Sequence, residues 1–188
     1  MKKLFLFFIL FLFAGISFAQ DIDFRIQPDG SFLNYKDNKD YVVIEYPDKT
    51  KNELYTNILT SVTKLYNSPK DVISKVENEV ISINGISSDC VMLSGWLGVK
   101  VYFSIQYGIK FMFKDGRMRV DAPIIIRLYN DSDSDIKPIS GWLSVQGIFK
   151  KGEPNPKKQN TIDDFNNTLN NIILDIINDR NNPSNDEW

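Results

Sequence analysis

The sequence predicts an α+β domain: an antiparallel sheet with two main helices packed on one face. Three observations lead there. Residues 101–129 (VYFSIQYGIKFMFKDGRMRVDAPIIIRLY) alternate apolar and polar residues on both sides of Asp115-Gly116, a dipeptide that marks a tight hairpin between such runs. Two other stretches carry apolar residues at helical spacing, Leu54, Ile58, Val62 and Leu65 early, and Ile162 to Ile177 late. The order strand, helix, several strands, helix then buries every apolar stripe if both helices cover the same side of the sheet.

Taken as a type I′ turn, with positive φ at Asp115 and Gly116, the hairpin sets Lys114 opposite Arg117. Phe113 then meets Met118, Phe111 meets Val120, Ile109 meets Ala122, Tyr107 meets Ile124, Ile105 meets Ile126 and Phe103 meets Leu128. All of these share one apolar face. The other face carries Tyr102, Ser104, Gln106, Lys110, Met112, Arg119, Asp121, Arg127 and Tyr129. A slip of one residue would invert both sets, so the alternation itself specifies the register.

In chain order, residues 1–19 read as a signal peptide: Lys2 and Lys3, an apolar run to Phe18, then small residues at Ser17 and Ala19. The apolar run is shorter than the ~20 residues of a spanning helix, and cleavage after Ala19 leaves Gln20 first. Residues 20–40 read as an N-terminal arm or loose hairpin, and 41–178 as a single α+β domain. YVVIEY (41–46) is a strand ended by Pro47. Thr50 with Glu53 forms a capping box for the first helix, and Ser68-Pro69-Lys70-Asp71 opens a second, very short one. Val80 to Ile86 is a strand with Ile81 and Ile83 inward. Gly95 and Gly98 should bend or break the continuation toward Lys100. Ser94-Gly95-Trp96-Leu97-Gly98-Val99 nearly recurs as Ser140-Gly141-Trp142-Leu143-Ser144-Val145; both are read as strands, the second within a strand from Ile139 to Phe149. Thr161, with Asp164 three residues on, caps the last helix, and 179–188 is a polar, flexible tail.

Without the leader's two lysines, 20 basic residues face 24 acidic ones, a net charge of −4 that gives no reason to expect a nucleic-acid partner. Histidine is absent, which excludes imidazole bases and His-ligated zinc. Cys90 is the single cysteine; without a histidine beside it, it reads as a small buried apolar residue.

KDYVVIEYPDKTKNELYTNIL, LYNSPKDVISKVENEVISINGIS and KFMFKDGRMRV resemble a domain-of-unknown-function family found in exported Bacteroidetes proteins. The similarity runs from Tyr41 to about Tyr129, with Lys-Asp-Gly-Arg at the hairpin as its most specific motif. The resemblance implies a TATA-binding-protein-like fold and supplies no catalytic residue.

Asp131, Asp133 and Asp135 alternate like the start of a calcium loop, but Ile136 stands where the loop needs glycine and Trp142 where it needs glutamate. A solvated turn is the better reading. Carboxylate pairs for glycoside cleavage can be drawn from residues such as Asp121 and Glu45, with nothing to mark one pair out. The hairpin's polar face holds more: Tyr102, Lys110, Met112, Arg119, Arg127 and Tyr129 mix aromatics with cations on the side the helices should leave bare. The resulting expectation is an exported, non-catalytic binding or assembly module without a cofactor, its partner an unknown protein or glycan of the cell envelope. A histidine-free glycan hydrolase and a purely structural envelope protein are the alternatives.

Overall fold

The computed structural model describes residues 22–130 and 138–178. Its strands are β1 (Phe24–Ile26), β2 (Phe32–Asn34), β3 (Tyr41–Glu45), β4 (Ile73–Val76), β5 (Val80–Ser94), β6 (Lys100–Lys114), β7 (Arg117–Asp121) and β8 (Ile124–Tyr129). Its helices are α1 (Lys51–Leu65), α2 (Pro69–Val72), α3 (Ile139–Val145) and α4 (Gln159–Asn178). The main sheet is antiparallel in the order β3-β7-β6-β5-β4, with β8 pairing β6 beyond the end of β7. The signal segment, Asp131 to Asp135 and the tail lie outside the described residues.

The hairpin forms in the expected register next to its turn, with Lys114 opposite Arg117 and Phe111 opposite Val120. The turn is not type I′, because only Gly116 has positive φ (76°). Asp115 is otherwise employed: its carboxylate accepts the Lys51 N–H at 2.7 Å, at the start of α1. That helix also has the Thr50–Glu53 capping box. Two carboxylates thus sit at the positive end of one helix dipole, and the β6–β7 turn is tied to the helix it packs under.

Beyond the turn the expected register fails. Pro123 has no N–H to give, so pairing stops at the end of β7 and resumes shifted, with Gly108 opposite Ile124 and Tyr107 opposite Ile125. A second shift sets Ile105 opposite Leu128. Ile124 and Ile126, expected in the core, are 60% and 41% exposed. Ile125 packs against the core in their place.

β5 runs well past Ile86 because a bulge between Ser87 and Val91 absorbs the irregularity. Asp89 lies there at φ 49°. Two extra residues preserve parity, so Val91 and Leu93 still point inward. The ribbon of β5 and β6 closes at residues 95–99, a turn that takes up the first tryptophan hexapeptide. The second hexapeptide forms α3. Neither is a strand, so the expected strand from Ile139 to Phe149 is replaced by a helix and a two-residue pairing of Phe149–Lys150 with Glu153–Pro154. The physical reason is Trp142: from a helix it reaches both Phe103 (ring centroids 5.1 Å apart) and Phe165 (6.1 Å), edge to face with each.

α1 and α4 cover one face of the sheet, burying Leu54, Ile58 and Val62 with Phe165, Leu169, Ile173 and Ile176 over Ile81, Ile83, Ile105 and Phe111. On this face the Tyr107 ring passes directly over Gly85, where an added Cβ would come within 2.5 Å of its Cζ. The Tyr107 hydroxyl meets that of Tyr66 at 2.7 Å. Burial pushes both phenols up from their ordinary value.

Residues 22–34 are part of this core and not an arm beside it. Ile22, Phe24, Ile26 and Phe32 are buried, and Asn170 on α4 bonds both the N–H and the C=O of Phe24 at 2.9 Å. Thr161 and Asp164 are likewise committed across the fold and do not form a cap. The Thr161 hydroxyl donates to the Met92 carbonyl, and the Asp164 carboxylate accepts the Met92 N–H. Together they clamp β5 to α4 two residues before the strand ends at Ser94.

Candidate functional site

The face turned away from α1 and α4 carries all six predicted residues, in two groups. The first lies near the β6–β7 turn. Strand pairing aligns Val43, Arg119, Met112 and Val80 in one row, with Asp121 opposite Tyr41. Asp121 is the hub: it accepts from Lys110 at 2.6 Å and from Arg119 Nε at 2.5 Å. Lys110 and Asp121 thus form a cross-strand ion pair, joined by Arg119. The Arg119 guanidinium also lies over the Tyr41 ring, 4.0 Å from its centroid, and Lys39 approaches the same ring at 5.7 Å. Exposed ion pairs are worth up to about 1 kcal/mol each and cation–π contacts a similar amount. Their effect here is chiefly to hold a flat guanidinium–phenol surface in one pose, next to the exposed thioether of Met112.

The second group is far along β6. Arg127 stands opposite Gln106 and Tyr129 opposite Ser104. The Arg127 guanidinium is 5.4 Å from the Tyr129 ring centroid, and its Nε is buried without a hydrogen-bond partner among the described residues. Tyr102 lies opposite Met92 and is about half exposed. Ten residues of β6 separate Tyr102 from Met112, roughly 33 Å of strand. The six do not make one compact site.

Between the groups the face mixes apolar and polar residues: Ile124 lies over Gly108, whose partner on β5 is Asn84, and Ile86, opposite Gln106, is 59% exposed. An open depression of about 770 Å³ passes here, lined by Lys110, Arg119, Asp121, Gly108 and Ile124 and reaching Gly30 at the tip of the β1–β2 hairpin. Sequence reasoning missed Tyr41, Ile86 and Ile124. Tyr41 was recoverable, since YVVIEY alternates and its outward residues had to meet some neighbour. Ile124 was not, because its outward turn follows from the shift at Pro123.

The two carboxylates considered for hydrolysis do not converge. Asp121 is opposite Tyr41 and Glu45 is opposite Arg117, which separates them by four residues of strand, roughly 13 Å. Paired glycosidase carboxylates stand about 5–9.5 Å apart. Among the described residues no group of three or more Cys, Asp or Glu is placed to hold a metal ion. Cys90 is half buried, its thiol donating to the Ser87 carbonyl. No helix of the described residues is long and apolar enough to cross a membrane.

No family model and no curated protein matches this sequence. Solved structures do. A DUF4468 family protein from Bacteroides ovatus superposes with a TM-score of 0.58 at 12% identity, over 77% of this chain and 86% of the other. A TBP-like protein from Parabacteroides distasonis superposes with a TM-score of 0.52 at 17% identity, over 76% of this chain and 91% of the other. Both come from Bacteroidetes, and both share the α+β arrangement of an antiparallel sheet with helices on one side. At these identities the likeness establishes architecture, and the architecture of this chain is TATA-binding-protein-like.

Proposed function

We propose that this chain is an exported, non-catalytic binding module that engages a protein or glycan of the cell envelope through the open face of its sheet. The observation that carries this reading is the Tyr41–Arg119–Asp121–Lys110 cluster with Met112 beside it. It is a pre-ordered amphipathic surface on the side that α1 and α4 leave uncovered. Arginine and tyrosine are enriched in binding hot spots, and here the contacts to Asp121 and Tyr41 already hold Arg119 in one pose.

The test is capture from envelope extract by the purified protein, compared with an Arg119→Ala/Arg127→Ala variant. The captured partner's affinity should fall at least tenfold in the variant, stay nearly flat between pH 6 and 8 because arginine remains charged throughout, and weaken with added salt. Tyr102→Ala and Tyr129→Ala should cost affinity with little change in melting temperature. A partner that binds the variant as well as the parent would place the contact elsewhere.

Export is the second part of the proposal and rests on Lys2, Lys3 and the apolar run that follows. Mass spectrometry of secreted material should show a chain beginning at Gln20. An intact Met1 terminus, or a lipid on the chain, would overturn it.

A further inference from the structure

The far end of the β5–β6 ribbon combines features that the open-face reading leaves unused. Ser94 pairs with Lys100, and Gly95 N–H donates to the Val99 carbonyl at 2.7 Å, closing a turn of five residues. At its apex Leu97 is 82% exposed and held at φ 57°, a left-handed conformation that is an outlier for a bulky side chain. Val99 is 59% exposed, and residue 96 is a tryptophan. Among the described residues Leu97 is not part of the core, so the conformation that closes the turn displays its side chain to solvent.

The turn is also braced. Lys158 Nζ donates to the Ser94 carbonyl at 2.7 Å, and the ribbon behind it is clamped at Met92 by Thr161 and Asp164. The apolar tip is therefore a fixed projection. Two lysines stand at its base, Lys100 opposite Ser94 and Lys158 on the Ser94 carbonyl, and Lys157 precedes Lys158 in the chain. Asp163 and Asp164 at the same helix end accept from Gln159 and the Met92 N–H and keep their negative charges, so the excess of cations at this end is one.

We propose that this tip docks the protein on an anionic lipid surface. Leu97 and Val99 enter the headgroup boundary, and Lys100, Lys157 and Lys158 face the lipid phosphates. Apolar burial and cationic attraction are each weak alone and give reversible binding together. Long lysine stems let the charge stay at headgroup level while the apolar residues go deeper. A protein partner would not require cations ringed around a small apolar point, whereas an anionic bilayer rewards that arrangement directly. The surface is distinct from the cluster around Asp121, so the two readings stand or fall separately.

The experiment is co-sedimentation of the purified protein with vesicles of phosphatidylcholine alone or mixed with phosphatidylglycerol. Asparagine accepts the left-handed conformation that leucine resists, so Leu97→Asn removes the apolar group without breaking the turn. The parent should pellet with phosphatidylglycerol vesicles and release in high salt. Leu97→Asn should bind at least ~10-fold more weakly with an equal or higher melting temperature. Lys100→Glu/Lys157→Glu should weaken binding to the anionic vesicles. The proposal is overturned if the parent fails to pellet at millimolar lipid, or if Leu97→Asn binds like the parent. It is equally overturned if sedimentation velocity shows the parent self-associating through the tip and Leu97→Asn monomeric, which would make the tip a protein contact.

Discussion

Phe111→Lys should leave the domain unfolded at room temperature. Phe111 is fully buried in the middle of β6, between Ile81 and Val120 on the neighbouring strands and under α1 and α4. The substitution removes an aromatic side chain, worth about 3–5 kcal/mol in a core, and inserts an ammonium with no partner, at several kcal/mol more. The sum is comparable to the ~5–15 kcal/mol that holds a typical domain together. Met112→Lys, one residue along, should cost at most about 1 kcal/mol, chiefly like-charge repulsion from Arg119 directly opposite. Circular dichroism melts of the two variants check the face assignment. A folded Phe111→Lys beside an unfolded Met112→Lys would invert it.

Trp142→Ala should be the next most damaging change. The indole is wedged edge-on between Phe103 and Phe165, one from the sheet and one from α4. Removing it leaves a large void at the only point where α3 grips the core through an aromatic, a loss of about 3–5 kcal/mol. For a domain of this size that is a drop of roughly 10 °C or more in melting temperature. Val145→Ala, at the exposed end of the same helix, should stay within about 0.5 kcal/mol. Comparable losses from both would mean that α3 is not oriented as described.

Where an element is specified by its own residues, the sequence showed it. The Asp115-Gly116 hairpin, the Thr50–Glu53 capping box, the Pro69 helix start and the apolar stripe of α4 are all local signals, and each appears in place. Misreadings occur where distant partners decide. The two tryptophan hexapeptides differ at one position, yet one is a turn and the other a helix. Phe103 and Phe165 pull Trp142 into the core, and nothing in the hexapeptide encodes those neighbours. Thr161 and Asp164 have the spacing of a cap but bond Met92, because β5 passes within reach. The candidate site followed the same rule. Parity placed Lys110, Met112 and Arg119 on one face, while the Tyr41 ring under Arg119 comes from a strand nearly eighty residues earlier.

The bonds between Asn170 and Phe24 join residues 146 positions apart. Closing so long a loop is entropically expensive and cannot be rewarded until its last segment is present. The sheet's own outer pairing, β3 with β7, is also non-local. Folding of this chain is accordingly a late and concerted event. A chain delivered N-terminus first carries Phe24, Ile26 and Phe32 without their shelter for the whole of its delivery, until α4 arrives to cover them. For that interval the same apolar residues that complete the core are an aggregation hazard.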